Sequence, residues 1–376
     1  MHLENCVVDY TVINGMWERL QSTDDWNRHP SYSERRQENA SKLQSFLNKA
    51  KPTVNQMVQQ FQMKQAADAS HRTQINKTGV LNTVTMVNYR WSEDIFRKNE
   101  NTPDGKNHGM VMYLDWSGSM CGILQDTVEQ LLVLVEFCRK VNIPYEVYAF
   151  SSNRYYPQLE GLDPYSDEYN TAQENINNHP QYTRHNDATD VSPHSFQLYN
   201  FLSSRMNNRD YKSALTNLWN LTDCQAGWNR SMPYPRCLDT GCTPLNEAIV
   251  TALDIVPEFQ RRNGVQIVNA VFLTDGDGHG LGLAGYRYGK KGKDFLRDNR
   301  TKKVYEVASN SHRTAETEVL LTYLKDKTGC NTIGIRLHDS KNIRNLRYNH
   351  WYDDDKAFEV ACKSYTKKNY CTVPSA

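Results

Sequence analysis

The residues best suited to chemistry begin with Asp115, Ser117 and Ser119, which are spaced as Asp-x-Ser-x-Ser. They follow an unbroken apolar run, residues 110–114, of the kind that forms a strand buried on both faces of a parallel sheet. Asp115 is therefore expected at the carboxyl end of that strand, where open α/β sheets bind ligands. One carboxylate and two hydroxyls are hard oxygen ligands, which suit Mg²⁺ or Mn²⁺ better than zinc or copper.

Two later segments offer further oxygen ligands at the same predicted edge. Thr243 lies in a loop that runs into a helix, with Pro244 at the expected first helical position. Asp275 ends a second apolar run, which begins at Val268, and a Gly-Asp-Gly turn follows. Because the carboxyl ends of parallel strands share one edge of a sheet, Asp115 and Asp275 are expected on a common rim.

Asp115, Ser117, Ser119, Thr243 and Asp275, in that order, resemble the metal-ion-dependent adhesion site of von Willebrand factor A (VWA) domains. The resemblance implies an α/β, Rossmann-like fold, with a doubly wound and mostly parallel sheet flanked by helices. It also implies one Mg²⁺ or Mn²⁺ ion held by the five residues. An ion with few charged ligands stays electrophilic, so an Asp or Glu from a partner protein could complete its shell.

Within that superfamily, the chain most resembles the carboxy-terminal domain of the cobaltochelatase T subunit (CobT) and the CobT-like proteins of large tailed bacteriophages. Segments 114–120, 142–151 and 332–339 carry this resemblance. It implies a partner AAA+ ATPase, either in a cobalt chelatase that serves cobalamin biosynthesis or in a phage remodelling system. The chain lacks the long acidic region of the chelatase subunit and has Thr243 where that subunit usually lacks a threonine, which favours a divergent relative with a complete metal site.

Three classes of function are consistent with these residues. The first is a metal-dependent, protein-binding adaptor for an AAA+ ATPase, which would be at most a non-catalytic subunit. The second is a structural or virion-associated protein with a metal-stabilised interface. The third is a metal-dependent hydrolase, which is less favoured because the sequence shows no positioned nucleophile and base.

Composition argues against some classes of partner. The 376 residues contain 44 Lys and Arg against 43 Asp and Glu, so the overall charge indicates neither nucleic acid nor a membrane surface. Nine cysteines without a Cys-x-x-Cys pair suggest reduced thiols in a cytoplasm, that of the host if the protein is phage-encoded. A disulfide or metal role for Cys237 and Cys242 is the less favoured interpretation. The sequence shows no signal peptide or membrane-spanning segment.

The pattern predicts a helical or irregular amino-terminal arm over 1–100 and a VWA-like domain over 101–376. Residues 1–30 give few signals and are expected to be irregular, and Pro52 is expected to separate two helices of the arm. The arm would either pack on the domain or dock a partner. Alternating elements are predicted in the domain: helices at 123–141, 245–258 and 314–328, and strands at 143–150, 265–275 and 332–337.

Two large insertions are expected, at about 152–238 and 276–313, both leaving the metal edge of the sheet. A helical part is predicted over 195–222 of the first. Segment 159–190 has seven acidic residues against one basic, whereas 287–303 has eight basic against two acidic. The basic segment is either a partner-binding surface, centred on Lys290, Lys291 and Lys293, or the counterpart of the acidic segment.

Other motifs are weaker. Residues 280–285 fit the dinucleotide pattern Gly-x-Gly-x-x-Gly, but the expected strand and helix do not flank them directly. Asp275-x-Asp277 could suggest a phosphoaspartyl enzyme, although a metal-ligand role explains Asp275 better. Three histidines could face the metal rim, but solvent-facing or hydrogen-bonded histidines are the simpler interpretation: His279, His312 and His338.

Overall fold

The computed structural model of the protein describes residues 6–23, 26, 29–72, 74–76, 99–101, 107–162, 166–178, 196–226, 232–276, 278, 294–307, 314–337 and 355–368. The helices in these ranges are α1 (Tyr10–Gln21), α2 (Pro30–Arg72), α3 (Leu124–Lys140), α4 (Asp167–Asn178), α5 (Asn208–Gln225), α6 (Leu245–Asn263), α7 (Thr314–Thr328) and α8 (Asp355–Lys368). The strands are β1 (Val7–Val8), β2 (Gln74–Asn76), β3 (Asn99–Asn101), β4 (His108–Asp115), β5 (Tyr145–Ser151), β6 (Gln197–Ser203), β7 (Ile267–Thr274), β8 (Asp294–Arg297), β9 (Val304–Val307) and β10 (Asn331–Arg336).

The main sheet in the described part of the chain has six strands in the order β1-β6-β5-β4-β7-β10. Strands β5, β4, β7 and β10 are parallel to one another. Strand β6 runs antiparallel to β5, and β1 pairs with β6 in parallel. The predicted α/β class, with a mostly parallel sheet flanked by helices, is therefore confirmed.

Alternate residues of the central strand β4 enter two hydrophobic clusters, one on each face of the sheet. Met112 and Leu114 pack in the cluster that includes side chains of α1, α2, α3 and α5. Val111 and Tyr113 pack in the cluster that includes side chains of α6 and α7. All four side chains have 0% exposure. Burial on both faces explains why β4 is a continuous apolar run instead of an alternating one.

Most of the predicted elements of the domain are present with small shifts at their ends. The helix expected over 195–222 is the exception, because Gln197–Ser203 forms β6 and α5 begins only at Asn208. The Asn207 side chain caps α5 by accepting hydrogen bonds from the backbone N–H groups of Arg209 and Asp210. Pairing with β5 determines the structure of 197–203, so part of the 152–238 interval belongs to the main sheet.

The expected break at Pro52 is wrong, because α2 continues through this residue from Pro30 to Arg72. A proline inside a helix costs about 3 kcal/mol, since it removes one backbone donor and crowds the preceding turn. Tertiary packing on both sides of Pro52 offsets this cost. Phe46 stacks on Trp219 of α5, and Phe61 meets Phe137 of α3 edge to face.

The amino-terminal elements pack directly on the sheet. Residues 1–30 give few sequence signals, yet they include α1, whose first turn is capped by Asp9. Strand β1 adds to the sheet beside β6, and Ile13 and Trp17 of α1 lie in the same hydrophobic cluster as β4. None of the helices in the described ranges is long and apolar enough to cross a membrane.

A buried carboxylate joins three elements at the edge of the sheet where β5 begins. Glu146 has 0% exposure. Its Oε1 accepts hydrogen bonds from Arg205 Nε at 3.0 Å and from Arg262 Nη2 at 2.6 Å. Its Oε2 accepts one from Asn200 Nδ2 at 2.7 Å. These contacts join β5 to β6, to the loop that precedes α5, and to the end of α6.

Candidate metal centre

Strands β4 and β7 place Asp115 and Thr274 side by side at their carboxyl ends. The register pairs Leu114 with Leu273, one residue before each. The Thr274 hydroxyl donates a hydrogen bond of 2.6 Å to Asp115 Oδ2. This hydrogen bond orients the carboxylate, and Asp115 has 0% exposure, so it lies below the surface of the rim.

The second oxygen of Asp115, Oδ1, is buried without a hydrogen-bond partner. Burial raises the pKa of Asp115 to about 7. The Thr274 hydroxyl and Ser117 lower this pKa in part, and the Asp275 carboxylate raises it further. An ionised carboxylate is costly in such surroundings unless an opposite charge neutralises it.

A chain of hydroxyl groups lies above Asp115. The Oγ atoms of Ser117 and Ser119 are 2.9 Å apart, and Ser119 Oγ donates to Asp275 Oδ1 at 3.0 Å. Ser117 thus lies between Asp115 and Ser119, and its hydroxyl can donate to either of them. Each hydroxyl oxygen keeps lone pairs that could coordinate a cation.

The loop that carries Thr243 lies beside this chain. Ser117 and Gly241 form a parallel β-bridge, and Gly118 N–H donates to Gly241 O at 2.9 Å. Gly241 N–H in turn donates to Trp116 O at 3.0 Å. Thr243 is two residues further on and is 8% exposed. Among the described residues, no hydrogen bond joins its hydroxyl to the other four candidate ligands.

Residues after β5 hold the Thr243 loop in place. Ser152 Oγ accepts the N–H of Cys242 at 2.8 Å, and Asn153 Nδ2 donates to Asp239 O at 2.8 Å. A Cβ on Gly241 would lie 2.5 Å from Ser152 Oγ, so any side chain at this position would clash. From the other side, Trp116 Nε1 donates to the Leu238 carbonyl at 2.8 Å.

The structure thus brings Asp115, Ser117, Ser119 and Asp275 into one cluster and places the Thr243 loop next to it. Sequence reasoning missed Thr274, Ser152 and Asn153. The rule that identified Asp115 could have found them, because all three also lie at or just after the carboxyl end of a strand. Other predicted residues lie outside the described ranges: Lys290, Lys291, Lys293, Asp277, His279, His312, His338 and the glycines of 280–285.

The donor set fits a hard divalent cation. No group of three or more His, Cys, Asp and Glu side chains that could hold a metal ion lies within the described residues. The cluster instead combines the Asp115 and Asp275 carboxylates with hydroxyl oxygens, which are ligands that Mg²⁺ and Mn²⁺ accept and that softer metals disfavour. The buried, unpartnered Asp115 Oδ1 is the atom that such an ion would satisfy.

Comparison with known proteins adds no family assignment. No protein-family model matches the sequence, and no curated protein matches it at a significant level. The function is therefore inferred from the geometry of the site together with the sequence resemblance.

Proposed function

We propose that this chain binds one Mg²⁺ or Mn²⁺ ion through five residues and uses the site to hold a partner protein. These residues are Asp115, Ser117, Ser119, Thr243 and Asp275. The observation that carries the proposal is Asp115 Oδ1, a buried carboxylate oxygen without a partner, located beneath a rim of hydroxyl groups. A cation at this rim would remove the cost of burying that charge.

Hydrogen bonds within the chain orient the proposed ligands. Thr274 fixes one Asp115 oxygen by its hydrogen bond and leaves the other without a partner. Asp275 accepts the Ser119 proton, which orients the Ser119 hydroxyl. A bound Mg²⁺ would supply positive charge and coordination positions open to a carboxylate from another protein.

Fold and sequence together support a VWA-like assignment. An acidic residue ends the central strand β4, a second one follows the neighbouring β7, and an antiparallel strand lies beyond β5. The resemblance of 114–120 and 142–151 to CobT-like proteins then points to an AAA+ ATPase as the partner. In this role the chain is an adaptor that presents the metal edge of its sheet to the ATPase.

The first prediction tests the ion. Asp115→Asn keeps the size of the side chain and removes its charge, so Mg²⁺ affinity should fall by at least about tenfold in calorimetry. Ser119→Ala should weaken binding less, because it removes one neutral ligand. The matched control is Asp254→Asn, an exposed carboxylate on α6, which should bind Mg²⁺ as the wild type does.

Partner binding is tested separately by affinity capture with Mg²⁺ and again with EDTA, followed by mass spectrometry. An AAA+ ATPase should be recovered by the wild type and by Asp254→Asn with Mg²⁺, and lost with EDTA or in Asp115→Asn. Unchanged Mg²⁺ binding by Asp115→Asn would refute the metal site. Recovery of the same partner in EDTA would refute the role of the metal in holding it.

A further inference from the structure

The β8–β9 hairpin is anchored to α7 by one of its two faces. Tyr305 on this inner face contacts Tyr323, with ring centroids 5.4 Å apart. The Tyr305 hydroxyl donates to Asp326 Oδ2 at 2.9 Å, and Lys303 forms an ion pair with the same carboxylate. Leu296, opposite Tyr305 in the register, packs against the cluster formed by α6 and α7.

The outer face of the hairpin is exposed and carries two apolar side chains, Phe295 and Val304, together with Arg297 and Glu306. Strand register pairs Phe295 with Glu306 and Arg297 with Val304, and these positions alternate with the anchored ones. Phe295 is 58% exposed and Val304 is 53% exposed. Two large apolar side chains close together on a hairpin surface are a common feature of protein interaction sites.

Cationic side chains border this apolar pair. Within the described residues, Arg297, Arg300 and Lys302 form no ion pair, in contrast to Lys303. The Asp298 carboxylate caps the turn by accepting from the Arg300 backbone N–H and the Thr301 hydroxyl, and its charge and that of Glu306 offset part of the positive charge.

Lys302 has an unusual backbone conformation in the turn between the two strands. Its φ is +61°, a left-handed conformation that glycine or asparagine adopts at lower cost. A lysine at such a position costs some stability relative to glycine.

We propose that the outer face of this hairpin docks an acidic segment of a partner protein that carries an apolar side chain. The cations match the carboxylates of such a segment, and Phe295 and Val304 match its apolar group. Phe295 could stack on a base, but the aliphatic Val304 on the same face suits an apolar side chain, which favours protein over nucleic acid. The inference does not rest on the metal site, because the hairpin packs on the carboxy-terminal half of α7 and contains none of the metal ligands.

The test uses the full chain and a fluorescent peptide of alternating glutamate and leucine, with fluorescence anisotropy as the readout. Wild type should bind this peptide in a salt-sensitive manner, with or without EDTA. A matched peptide with glutamine in place of glutamate should bind at least about tenfold more weakly. The affinity of the glutamate peptide should also fall at least about tenfold in two hairpin variants, Arg297→Glu and the double variant Phe295→Ser, Val304→Thr.

The control is the double variant Lys49→Glu, Lys51→Glu, which changes two exposed lysines on α2. It should bind the peptide as the wild type does.

The altered side chains are exposed, so the thermal midpoint of each variant should match the wild type. The proposal is overturned if wild type shows no saturable binding or if the hairpin variants bind unchanged. It is also overturned if a single-stranded oligonucleotide binds as tightly as the peptide, which would indicate a nucleic-acid surface. Binding that appears only after the carboxylates of 159–190 are changed to amides would instead assign the face to the chain's own acidic segment.

Discussion

The buried carboxylates among the described residues are of two kinds. Glu146 receives hydrogen bonds on both oxygens from charged and polar donors. Asp115 and Glu247 are equally inaccessible, but each keeps one oxygen without a hydrogen-bond partner. For Asp115 the lone oxygen lies in the candidate metal centre. For Glu247, near the start of α6, it has a consequence for stability that depends on pH.

Glu247→Gln should stabilise the protein at alkaline pH. Burial raises the pKa of Glu247 to about 7 from the ordinary 4.5, and the Glu316 carboxylate adds to the effect. Because the folded pKa lies above the unfolded one, Glu247 favours folding fully only below about pH 4.5, and this contribution is lost as the pH rises to about 7. A glutamine side chain cannot ionise, so the variant does not become less stable in this pH range. Its free energy of unfolding at about pH 8 should therefore exceed that of wild type by on the order of 1–3 kcal/mol.

Urea unfolding at about pH 4 and about pH 8 measures this difference, which should be near zero at the lower pH. The control is Glu258→Gln, an exposed position on the same helix, which should leave stability unchanged at both values. A Glu247→Gln variant that is less stable than wild type at about pH 8 would contradict the prediction.

The sequence predicted which side chains meet at the carboxyl edge of the sheet, but not the contacts that support them. Asp115 and Asp275 were predictable because an apolar run that ends in a carboxylate indicates both the strand and its edge. The same rule marks Thr274 and Asn153 as strand-end positions but does not give their roles, which depend on the strand or loop that lies opposite. Asn153, for example, binds carbonyls 86 and 87 residues away in the chain, and nothing in the local sequence specifies that distance.

At the scale of elements, Glu146 fastens β5 to β6 and α6 at the edge opposite the metal centre. Glu146→Gln keeps the shape of the side chain but removes the carboxylate that pairs with Arg262, and it leaves Arg205 with Asp9 alone. These arginine side chains are 35% and 34% exposed, so water compensates them in part. We expect a loss of about 2 kcal/mol in the free energy of unfolding, below the 3–5 kcal/mol typical of a fully buried pair.

Denaturant unfolding measures this loss, and Glu18→Gln on α1, an exposed position, is the control. Calorimetry should show Mg²⁺ affinity close to wild type, because Glu146 lies at the start of β5 and the candidate ligands lie past the ends of β4 and β7. A variant with unchanged stability would show that the two arginines need no carboxylate at this site.

Elements were predictable where one local pattern decides them. The apolar runs of β4 and β7 and the helix Thr314–Thr328 follow directly from their side chains. Strand β6 and the passage of α2 through Pro52 do not, since both depend on distant neighbours. Pairing with β5 makes 197–203 a strand, and packing on α3 and α5 keeps α2 continuous.

At the scale of the whole molecule, a buried polar contact holds α2 against α5. Asn39 has 0% exposure, and its Nδ2 donates to Asn220 Oδ1 and to Asp223 Oδ2, both at 3.1 Å. Arg35 binds the same Asp223 through two nitrogen atoms. Helix α2 is thereby fixed to the domain by hydrogen bonds as well as by apolar packing.

Asn39→Ala should therefore destabilise the whole protein by about 1–3 kcal/mol, because it leaves the buried Asn220 Oδ1 without its donor. Since α2 shares a hydrophobic cluster with β4, tryptophan fluorescence and far-ultraviolet circular dichroism should still report one common unfolding transition. Asn48→Ala, at an exposed position of the same helix, should have little effect. Two separate transitions would show that the amino-terminal arm unfolds on its own.

The pairing of β1 with β6 also constrains the order in which the protein can fold. Val7 pairs with Leu198, and Asn39 contacts Asn220 across 181 residues of sequence. During synthesis, residues 7–72 leave the ribosome long before their partners in 196–225 exist. Contacts between such distant segments form slowly, because long loops must close first. The apolar side of α2 must therefore remain without its final neighbours until the middle of the chain has been made, and at this stage the protein would benefit most from a chaperone.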